Sequence, residues 1–304
     1  MEKRKIIIDT DPGHDDALAI MLIEKSGLFD IQAITTVAGN STLQNVTNNA
    51  RYILDLIGSD APLYSGAATP LEKELIQADV HGESGLDGVK IIKEERLIGD
   101  ASRRIIEIVK KYPKQVSILA IGPLTNIAKA LIEDNSIAPL VQEIVIMGGA
   151  ITVPGNKNCV AEFNIFVDPD AADIVFRSEM KKTLVPLDVC NDVFLTLEDF
   201  KKLEGSYLYI AIWAMMGHYI KAIYTFENTS GALMYDPLAA YFLINPSAFL
   251  GEVMDVRIET ESKLTRGMTV ADRRIWGEKC PNIFVANSVN REAFERDFLE
   301  ILGK

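Results

Sequence analysis

Four aspartates lie within eight residues near the start of the chain, at the end of an apolar run. The segment reads IIIDTDPGHDDALAI (residues 6–20), and its aspartates are Asp9, Asp11, Asp15 and Asp16. An aspartate carboxyl has an ordinary pKa of about 3.9, so all four would be ionised in water at neutral pH. Carboxylates crowded at one strand end repel one another, and they must therefore share protons or bind a cation.

A divalent metal held by oxygen ligands is the chemistry that this pattern favours. Carboxylate oxygens suit Ca²⁺ or Mg²⁺. Zinc is disfavoured, because His14, His81 and His218 include no pair at metal-ligand spacing and the cysteines do not cluster. An EF-hand is excluded, since DTDPGHDDALAI lacks the internal glycine and the closing glutamate of that loop.

Two other interpretations of the aspartates are open. One or two of them could cap a helix that begins near His14, after the turn of Pro12 and Gly13, although a cap needs only one carboxylate. A phosphotransferase with an aspartyl nucleophile also begins with a strand followed by Asp-x-Asp. That class needs Thr or Val two residues after the second aspartate, where this chain has Gly13.

The composition excludes several classes of partner. A formal net charge of −12, with no basic run among the aromatic residues, argues against nucleic acid or an anionic membrane. The apolar stretch behind the basic residues 2–5 is too short for a signal peptide, and residues 208–216 are too few to span a bilayer. Three scattered cysteines imply no disulfide framework. We therefore expect a soluble, cytoplasmic protein.

Short apolar runs alternate with amphipathic segments, which is typical of an α/β fold. The runs predict strands at 5–9, 31–37, 116–122, 143–149 and 182–188, with two later strands at 252–260 and 282–287. Apolar residues at steps of three and four predict helices after His14 and at 42–58, 100–113, 125–133, 168–178, 206–224 and 235–245. We expect a doubly wound, mostly parallel sheet with helices on both faces, in a single domain of residues 1–304.

Sheets of this kind bind ligands outside the carboxyl ends of their strands. The aspartate cluster follows the first predicted strand. The segments AGNST (38–42), GPLTN (122–126) and MGGA (147–150) follow the next three. These polar segments should therefore converge on one crevice.

The same segments resemble the inosine–uridine-preferring nucleoside hydrolases. The resemblance extends over nearly the whole chain, in family order, and is carried by DTDPGHDDALAI (9–20), ITTVAGNST (34–42), HGESG (81–85), GPLTNIA (122–128), VIMGGA (145–150), AEFNI (161–165) and LTRGMTVAD (264–272). It implies the nucleoside hydrolase fold, which agrees with the sheet predicted above. It also implies Ca²⁺ as the cofactor and, by analogy, a homodimer or homotetramer.

The resemblance further implies a calcium ion beneath a ribose pocket. Its ligands would be the carboxylates of Asp11, Asp16 (bidentate) and Asp236 and the backbone carbonyl of Thr125, with water and two ribose hydroxyls. Taken alone, Asp236 before Pro237 is an ordinary helix cap, and Thr125 could simply begin a helix.

Hydrolysis of an N-glycosidic bond passes through a ribose with oxocarbenium character. By resemblance, a metal-bound water is the nucleophile, Asp11 takes its proton as general base, and Asn164 shares in catalysis. The implied ribose contacts are Asp15 and Asn40 near the 2′-hydroxyl, Glu162, Asn164 and Asn156 near the 3′- and 5′-hydroxyls, and Met147 beneath the sugar. If AEFN were instead an extended edge strand, Glu162 and Asn164 would share one face and Phe163 would lie on the other.

Two residues are candidates for contact with the nucleobase. His81 lies on the glycine-rich loop DVHGESGLDG, which approaches the base in the family, although a lone loop histidine is usually just solvated. Tyr224 lies near the end of the predicted helix 206–224.

Tyr235, His81 and Tyr224 are the candidates for the group that assists the departing base. Purine-active family members have a histidine directly before the last metal aspartate, and this chain has Tyr235 there. Tyrosine has a pKa of about 10 against about 6.5 for histidine, so Tyr235 is a hydrogen-bond donor but a reluctant acid. His81 or Tyr224 could assist instead, and the sequence does not predict a base preference.

We therefore expect Ca²⁺-dependent hydrolysis of pyrimidine or purine ribonucleosides, or both, to ribose and free base. The expected partner is a small-molecule ribonucleoside, with neither nucleic acid nor membrane. The alternative is a non-catalytic, metal-dependent ribonucleoside-binding protein, for which Tyr235 is the only support.

Overall fold

The computed structural model describes residues 3–78, 80–92, 94–227 and 229–304. Its strands are β1 (Arg4–Thr10), β2 (Phe29–Thr36), β3 (Leu63–Ser65), β4 (Val116–Ala120), β5 (Glu143–Met147), β6 (Lys182–Val185), β7 (Phe194–Leu195), β8 (Ala232–Leu233), β9 (Phe249–Met254), β10 (Val256–Ile258), β11 (Thr269–Ala271) and β12 (Ile283–Val289). Its α-helices are α1 (His14–Ser26), α2 (Leu43–Ile57), α3 (Ala101–Lys111), α4 (Thr125–Glu133), α5 (Phe163–Val167), α6 (Pro169–Arg177), α7 (Leu187–Cys190), α8 (Leu197–Lys201), α9 (Tyr209–Glu227), α10 (Tyr235–Ile244) and α11 (Arg291–Leu302).

Eight of these strands form one sheet in the order β3-β2-β1-β4-β5-β6-β12-β9. Neighbouring strands are parallel, except that β9 is antiparallel to β12 at the edge. The chain runs from β1 outward to β3 and then returns to place β4 on the other side of β1. The strand order therefore reverses between β1 and β4, which is the switch point where such sheets bind ligands. The predicted doubly wound, mostly parallel sheet is confirmed.

The side chains of β1 alternate between two apolar cores. Ile6 and Ile8 pack in a core with α1, α2, α10 and α11, whereas Ile7 packs in a second core with α3, α4 and α6. All three isoleucines are fully buried. Helices therefore cover both faces of the sheet, which is why β1 appears in the sequence as an unbroken apolar run.

The helix bounds follow the capping signals of the sequence. The Thr42 hydroxyl accepts a hydrogen bond from the backbone N–H of Asn45 at the start of α2, and Gly58 ends that helix with φ of 64°. A positive φ costs glycine little, because it has no Cβ. Asp100 caps α3 in the same way through the N–H of Arg103. The predicted helices 42–58 and 100–113 are confirmed to within two residues.

Two features of the sheet edges differ from the prediction. The predicted strand 252–260 is two strands in different sheets, since β9 pairs with β12 and β10 pairs with β11. The chain changes sheet at Asp255, whose carboxylate accepts a hydrogen bond from the N–H of Cys280 (3.0 Å). The edge strand β3 was not predicted, because three residues are too few to show a pattern.

Within the described ranges, no helix combines the length and the apolar character that crossing a bilayer requires.

We propose that residues 1–304 form one domain, and we expect a single cooperative transition in urea. Phe298 of α11 is fully buried against Phe200 and Phe294. Phe298→Ala removes a buried ring, so the free energy of unfolding should fall by about 3–5 kcal/mol. The control Ile275→Ala, at a fully exposed position, should change it by less than about 0.5 kcal/mol. Two separate transitions would contradict the single domain, and equal effects of the two substitutions would contradict the docking of α11.

Candidate active site

The turn between β1 and α1 places the aspartate cluster at the switch point of the sheet. Asp16 accepts hydrogen bonds from the N–H of Gly13 (2.9 Å), the hydroxyl of Thr10 (2.5 Å) and the side-chain amide of Asn40 (3.2 Å). The first contact joins Asp16, the third residue of α1, to the backbone of the N-cap residue Gly13, which stabilises the start of the helix as the capping interpretation allowed. The other two hold the carboxylate from the strand and from the loop after β2, so capping alone does not describe it.

Asp236 joins this cluster from the other end of the chain. It lies in the first turn of α10, and one carboxylate oxygen from each of Asp15, Asp16 and Asp236 lies within 4.8 Å of the other two. All three side chains are buried. The predicted meeting of Asp16 with Asp236 is thus present, and Asp15 belongs to the same compact group.

The electrostatics of this group favour a bound cation. Burial raises the pKa of Asp236 well above its usual value, and the charges of Asp15, Asp16 and Asp11 raise it further. Burial, followed by the charge of Asp16, likewise raises the pKa of Asp11, and burial raises that of Asp16. Carboxyls with raised pKa values in one buried group are those that a divalent cation would stabilise in the ionised form.

Asp11 lies beside this group rather than within it. Its Oδ2 accepts the N–H of Asn40 (2.7 Å), whereas its Oδ1 is buried and accepts no hydrogen bond from the described residues. A Cβ at Gly39 would lie 2.1 Å from Oδ2, and one at Gly122 would lie 2.7 Å from Oδ1. Gly39 and Gly122 therefore leave just enough space for this carboxylate. Its Oδ1 is the oxygen that could accept a proton or bind a cation.

Thr125 begins α4 and is buried. Its hydroxyl donates to Asp168 (2.7 Å), which also accepts the N–H of Ala171 (3.1 Å) as the cap of α6. The side-chain hydroxyl of Thr125 therefore makes a structural hydrogen bond between the starts of α4 and α6. Metal binding by its backbone carbonyl stays a prediction.

The segment AEFN leads into helix α5, which begins at Phe163 with Glu162 as its N-cap, and the interpretation of it as an extended edge strand is wrong. Glu162 caps α5 by accepting the N–H groups of Asn164 (2.8 Å) and Ile165 (3.1 Å), and it also accepts the N–H of Gly149 (3.0 Å). The side-chain amide of Asn164 donates to the carbonyls of Ile121 (3.1 Å) and Met147 (3.3 Å). These bonds tie α5 to the ends of β4 and β5, and burial raises the pKa of Glu162.

A cavity opens above the aspartates, and most of the predicted residues line it. Those that do are Asp15, Asn40, His81, Met147, Asn156, Glu162, Asn164, Tyr235 and Asp236. Asp11, Asp16 and Thr125 lie behind this surface. The remaining lining residues, which sequence reasoning missed, are Ala78, Val80, Ile121, Lys157, Phe163, Tyr219 and Ile223.

The structure does not bring Tyr224 into the cavity. Its side chain is 60% exposed, whereas Tyr219 and Ile223, four residues apart on the inner face of α9, line the cavity and are 1% exposed. Helical periodicity is the signal that would have found them, because Tyr224 lies on a different face from this pair.

His81 is buried beside the aspartates rather than solvated. Its Nε2 lies 3.9 Å from Oδ1 of Asp15, and its ring stacks with His14 and Tyr219. Burial lowers the pKa of His81 well below its usual value, and the neighbouring His14 and His218 lower it further. Burial therefore disfavours the charged form of this ring.

Comparisons with known proteins agree with this geometry. The sequence profile described as inosine-uridine preferring nucleoside hydrolase matches residues 6–296. A pyrimidine-specific ribonucleoside hydrolase RihA of Shewanella sp. (strain MR-4) is 39% identical over 300 residues, which cover 96% of this chain and 93% of that protein. The RihA of Photobacterium profundum is 39% identical over 301 residues, which cover 96% of each chain.

Solved structures show the same similarity. The plant nucleoside hydrolase PpNRh1 superposes with a TM-score of 0.93 at 32% identity, covering 99% of both chains. The purine-preferring ribonucleoside hydrolase from Gardnerella vaginalis superposes with a TM-score of 0.92 at 32% identity, covering 99% of this chain and 98% of that one.

Removal of bound divalent cations should make the stability of the chain fall as the pH rises. The raised pKa values of Asp11, Asp16 and Asp236 mean that the metal-free folded state holds protons which the unfolded state releases above about pH 4. The stability that these three carboxyls contribute is therefore fully present below about pH 4. It is lost as the pH rises through their pKa values in the folded state.

Urea unfolding of chelator-treated protein between about pH 5 and 8 measures this slope. Asp236→Asn should flatten it, and added Ca²⁺ should restore the stability of the unsubstituted chain. Identical curves with chelator and with Ca²⁺ would show that no cation binds here.

Proposed function

This chain belongs to the inosine-uridine preferring nucleoside hydrolase family and is a nucleoside hydrolase; from that premise we propose that it cleaves pyrimidine ribonucleosides to ribose and free base in a Ca²⁺-dependent reaction. The main observation in support of this reaction is the group of Asp15, Asp16 and Asp236 at the base of a cavity, which Glu162 and Asn164 also line. The preference for pyrimidines is supported by the relatives at 39% identity, which are named pyrimidine-specific.

The donor set supports a hard cation. Every candidate ligand is an oxygen, and Ca²⁺ takes six to eight of them, more than Mg²⁺ usually takes from a protein. We propose that Asp11, Asp16, Asp236 and the carbonyl of Thr125 would hold the ion. Asp15 lines the cavity and Asp16 does not, which supports Asp15 on the ribose side of the group. When bound, the cation would supply Lewis acidity that makes water a better nucleophile.

Asp11 is the proposed general base. One of its oxygens is fixed by the N–H of Asn40, and the other accepts no hydrogen bond from the described part of the chain. A carboxylate held in this way keeps one oxygen in a fixed position for a proton from water.

The ribose would be held by side chains that the fold has already fixed. Asn40 reaches Asp16 and the carbonyl of Asp11, and Glu162 is fixed by backbone N–H groups. Asp15 is proposed at the 2′-hydroxyl, with Glu162, Asn164 and Asn156 at the other hydroxyls and Met147 beneath the ring. Anionic oxygens around the sugar stabilise the positive charge that grows there as the bond breaks.

The base would leave between Tyr235 and His81. Tyr235 begins α10 beside Asp236, is buried and lines the cavity. Its hydroxyl suits hydrogen-bond donation to the departing base better than proton transfer, because its ordinary pKa is about 10.

Two further proposals concern the oligomeric state and the cellular location of the protein. A homodimer or homotetramer is proposed by analogy with the family. A cytoplasmic location is supported by the cysteines, because Cys159, Cys190 and Cys280 are all free thiols.

A substrate panel tests the proposed activity and its preference. Release of ribose from uridine and cytidine should exceed that from inosine and adenosine by at least about tenfold in kcat/KM, which corresponds to about 1.4 kcal/mol. A chelator should abolish release and Ca²⁺ should restore it. Equal or faster purine hydrolysis would contradict the preference alone, whereas tight nucleoside binding without ribose would support the binding-protein alternative.

Substitution of Tyr235 and Asp11 tests their different roles. Asp11→Asn should lower kcat on uridine by about 10²–10⁴-fold, which is the range of a lost general base. Tyr235→Phe removes one hydrogen bond and should cost about tenfold or less. If the Phe variant were as inactive as the Asn variant, Tyr235 would be an essential acid.

A further inference from the structure

The segment LTRGMTVAD (264–272) is among the motifs that carry the family resemblance, but the proposed reaction gives it no role. It runs from the loop between β10 and β11 through β11. None of its residues, all of which the structure describes, lines the cavity above the aspartates. Any effect of this segment on a ligand must therefore pass through the residues that it contacts.

The β10–β11 loop, residues 259–268, is held in one conformation by its own hydrogen bonds. The N–H of Gly267 donates to the backbone carbonyl of Glu259 (2.7 Å). The carboxylate of Glu259 accepts the N–H of Ser262 (2.9 Å), and the carbonyl of Ser262 accepts the N–H of Arg266 (3.0 Å). The loop is therefore a preformed surface against which another segment can be held.

Gly267 packs directly on the segment that contains Glu162 and Asn164. A Cβ at Gly267 would lie 3.1 Å from Cα of Phe166 and 3.2 Å from Cβ of Ala161. Both distances are shorter than ordinary carbon–carbon contacts, so a side chain here would displace one of the two segments. Ala161 precedes Glu162 and Phe166 follows Asn164, so Gly267 contacts this turn of chain on both sides.

Arg266, the preceding residue, joins the loop to the next helix. Its guanidinium forms an ion pair with Asp170 in the first turn of α6, and both side chains are partly buried. Helices α5 and α6 meet at Asp168, which ends the first and caps the second. The apolar side chains of β10 also pack in the same core as those of α6. The hairpin therefore contacts the chain before and after Asp168.

Thr269, at the start of β11, packs against a third support of Glu162. A Cβ at Gly149 would lie 2.9 Å from Oγ1 of Thr269. The N–H of Gly149 in turn donates to the carboxylate of Glu162 (3.0 Å). The hydroxyl of Thr269 is buried and has no hydrogen-bond partner among the described residues, so this side chain acts through packing.

We propose that Arg266 and Gly267 are positioning residues that hold Glu162 and Asn164 in the orientation in which they bind the ribose. One hairpin contacts both sides of the turn, the helix that follows it and the loop that donates to its carboxylate. Groups that bind a ligand must be held to within about 0.5 Å, because hydrogen bonds weaken steeply with distance and angle. The hairpin thus supports the ribose end of the cavity without lining it.

Amide hydrogen exchange tests this support without turnover. Gly267→Ala inserts a methyl group between the loop and α5. The N–H groups of Asn164 and Ile165, which donate to Glu162, should then exchange about tenfold faster, because overpacking favours local opening. Residues 9–20, which the hairpin does not hold, should keep their exchange rates.

Gly205→Ala is the matched control for the strain that alanine brings to a glycine position. Gly205 also has a positive φ (104°), but a Cβ there would meet no atom within 4 Å beyond its chain neighbours. This variant should therefore leave exchange at residues 162–167 unchanged. Equal exchange there in Gly267→Ala and Gly205→Ala, or equal acceleration at residues 9–20 in Gly267→Ala, would overturn the proposal.

Substitution of Arg266 tests the ion pair. Arg266→Met should speed exchange at residues 162–167, and Arg266→Lys should recover most of the protection because it keeps a positive charge near Asp170. Arg274→Met is the control, because Arg274 pairs with Asp272 at the end of the same hairpin rather than with α6. Equal exchange in the Met and Lys variants of Arg266 would show that the charge plays no part in positioning.

The effect on the ribose rests on the proposed function, and kinetics test it separately. Gly267→Ala should raise KM for uridine by about tenfold and change kcat little, because misaligned hydrogen bonds weaken binding in the ground state and the transition state alike. The affinity for Ca²⁺, measured by calorimetry, should stay unchanged, since the proposed metal ligands lie on other elements.

The two proposals fail in different ways. If the unsubstituted protein released no ribose, the proposed function would fail, while hydrogen exchange would still test the contact of the hairpin with α5. If Gly267→Ala sped exchange at residues 162–167 but left KM for uridine unchanged, the positioning role would fail. A loss of Ca²⁺ affinity as large as the rise in KM would also overturn it, because the defect would then not be confined to the ribose end.

Discussion

Repulsion among the buried carboxyls of Asp15, Asp16 and Asp236 is the interaction that the rest of this structure has to accommodate. At the separation of 4.8 Å or less seen here, two unit charges repel by roughly 3.5 kcal/mol or more at an effective dielectric of about 20. Two helices offset part of this repulsion, because all three residues lie in the first turns of α1 and α10. The N-terminus of a helix carries a partial positive charge that stabilises anions.

The packing of these two helices explains why the group stays together. Residues 14–23 of α1 are buried without a break, and α10 packs against α1 in the same core. Neither helix has a solvated face along most of its length, so it cannot turn its aspartates toward water without exposing its apolar residues. Hydrophobic burial thus supplies the free energy that holds like charges together, and a cation would remove the remaining strain.

Much of this arrangement could be predicted from the sequence, because strands buried on both faces are unbroken apolar runs and their ends are marked by polar residues. Asp11, Asp16 and Asn40 were placed at the switch point in this way. Assignments that depended on distant contacts could not be predicted. Glu162 alternates with Phe163 and Asn164 as in a strand, yet it caps α5 by accepting the N–H groups of Asn164 and Ile165. The N–H of Gly149, from the loop after β5, holds the same carboxylate. Likewise, Tyr224 resembles a base contact until the packing of α9 shows which face is inside.

The proposed chemistry also needs the two ends of the cavity to differ in charge. Asp15, Glu162 and Asp236 make the proposed ribose end acidic, whereas the other end is lined by His81, Tyr219 and Ile223. A protonated His81 would pair with Asp15, which lies only 3.9 Å away, and would draw that carboxylate from the sugar. The lowered pKa of His81 disfavours this pairing; burial is its main cause, and the neighbouring His14 and His218 add to it. An uncharged His81 would therefore leave the carboxylates of the proposed ribose end to interact with the sugar.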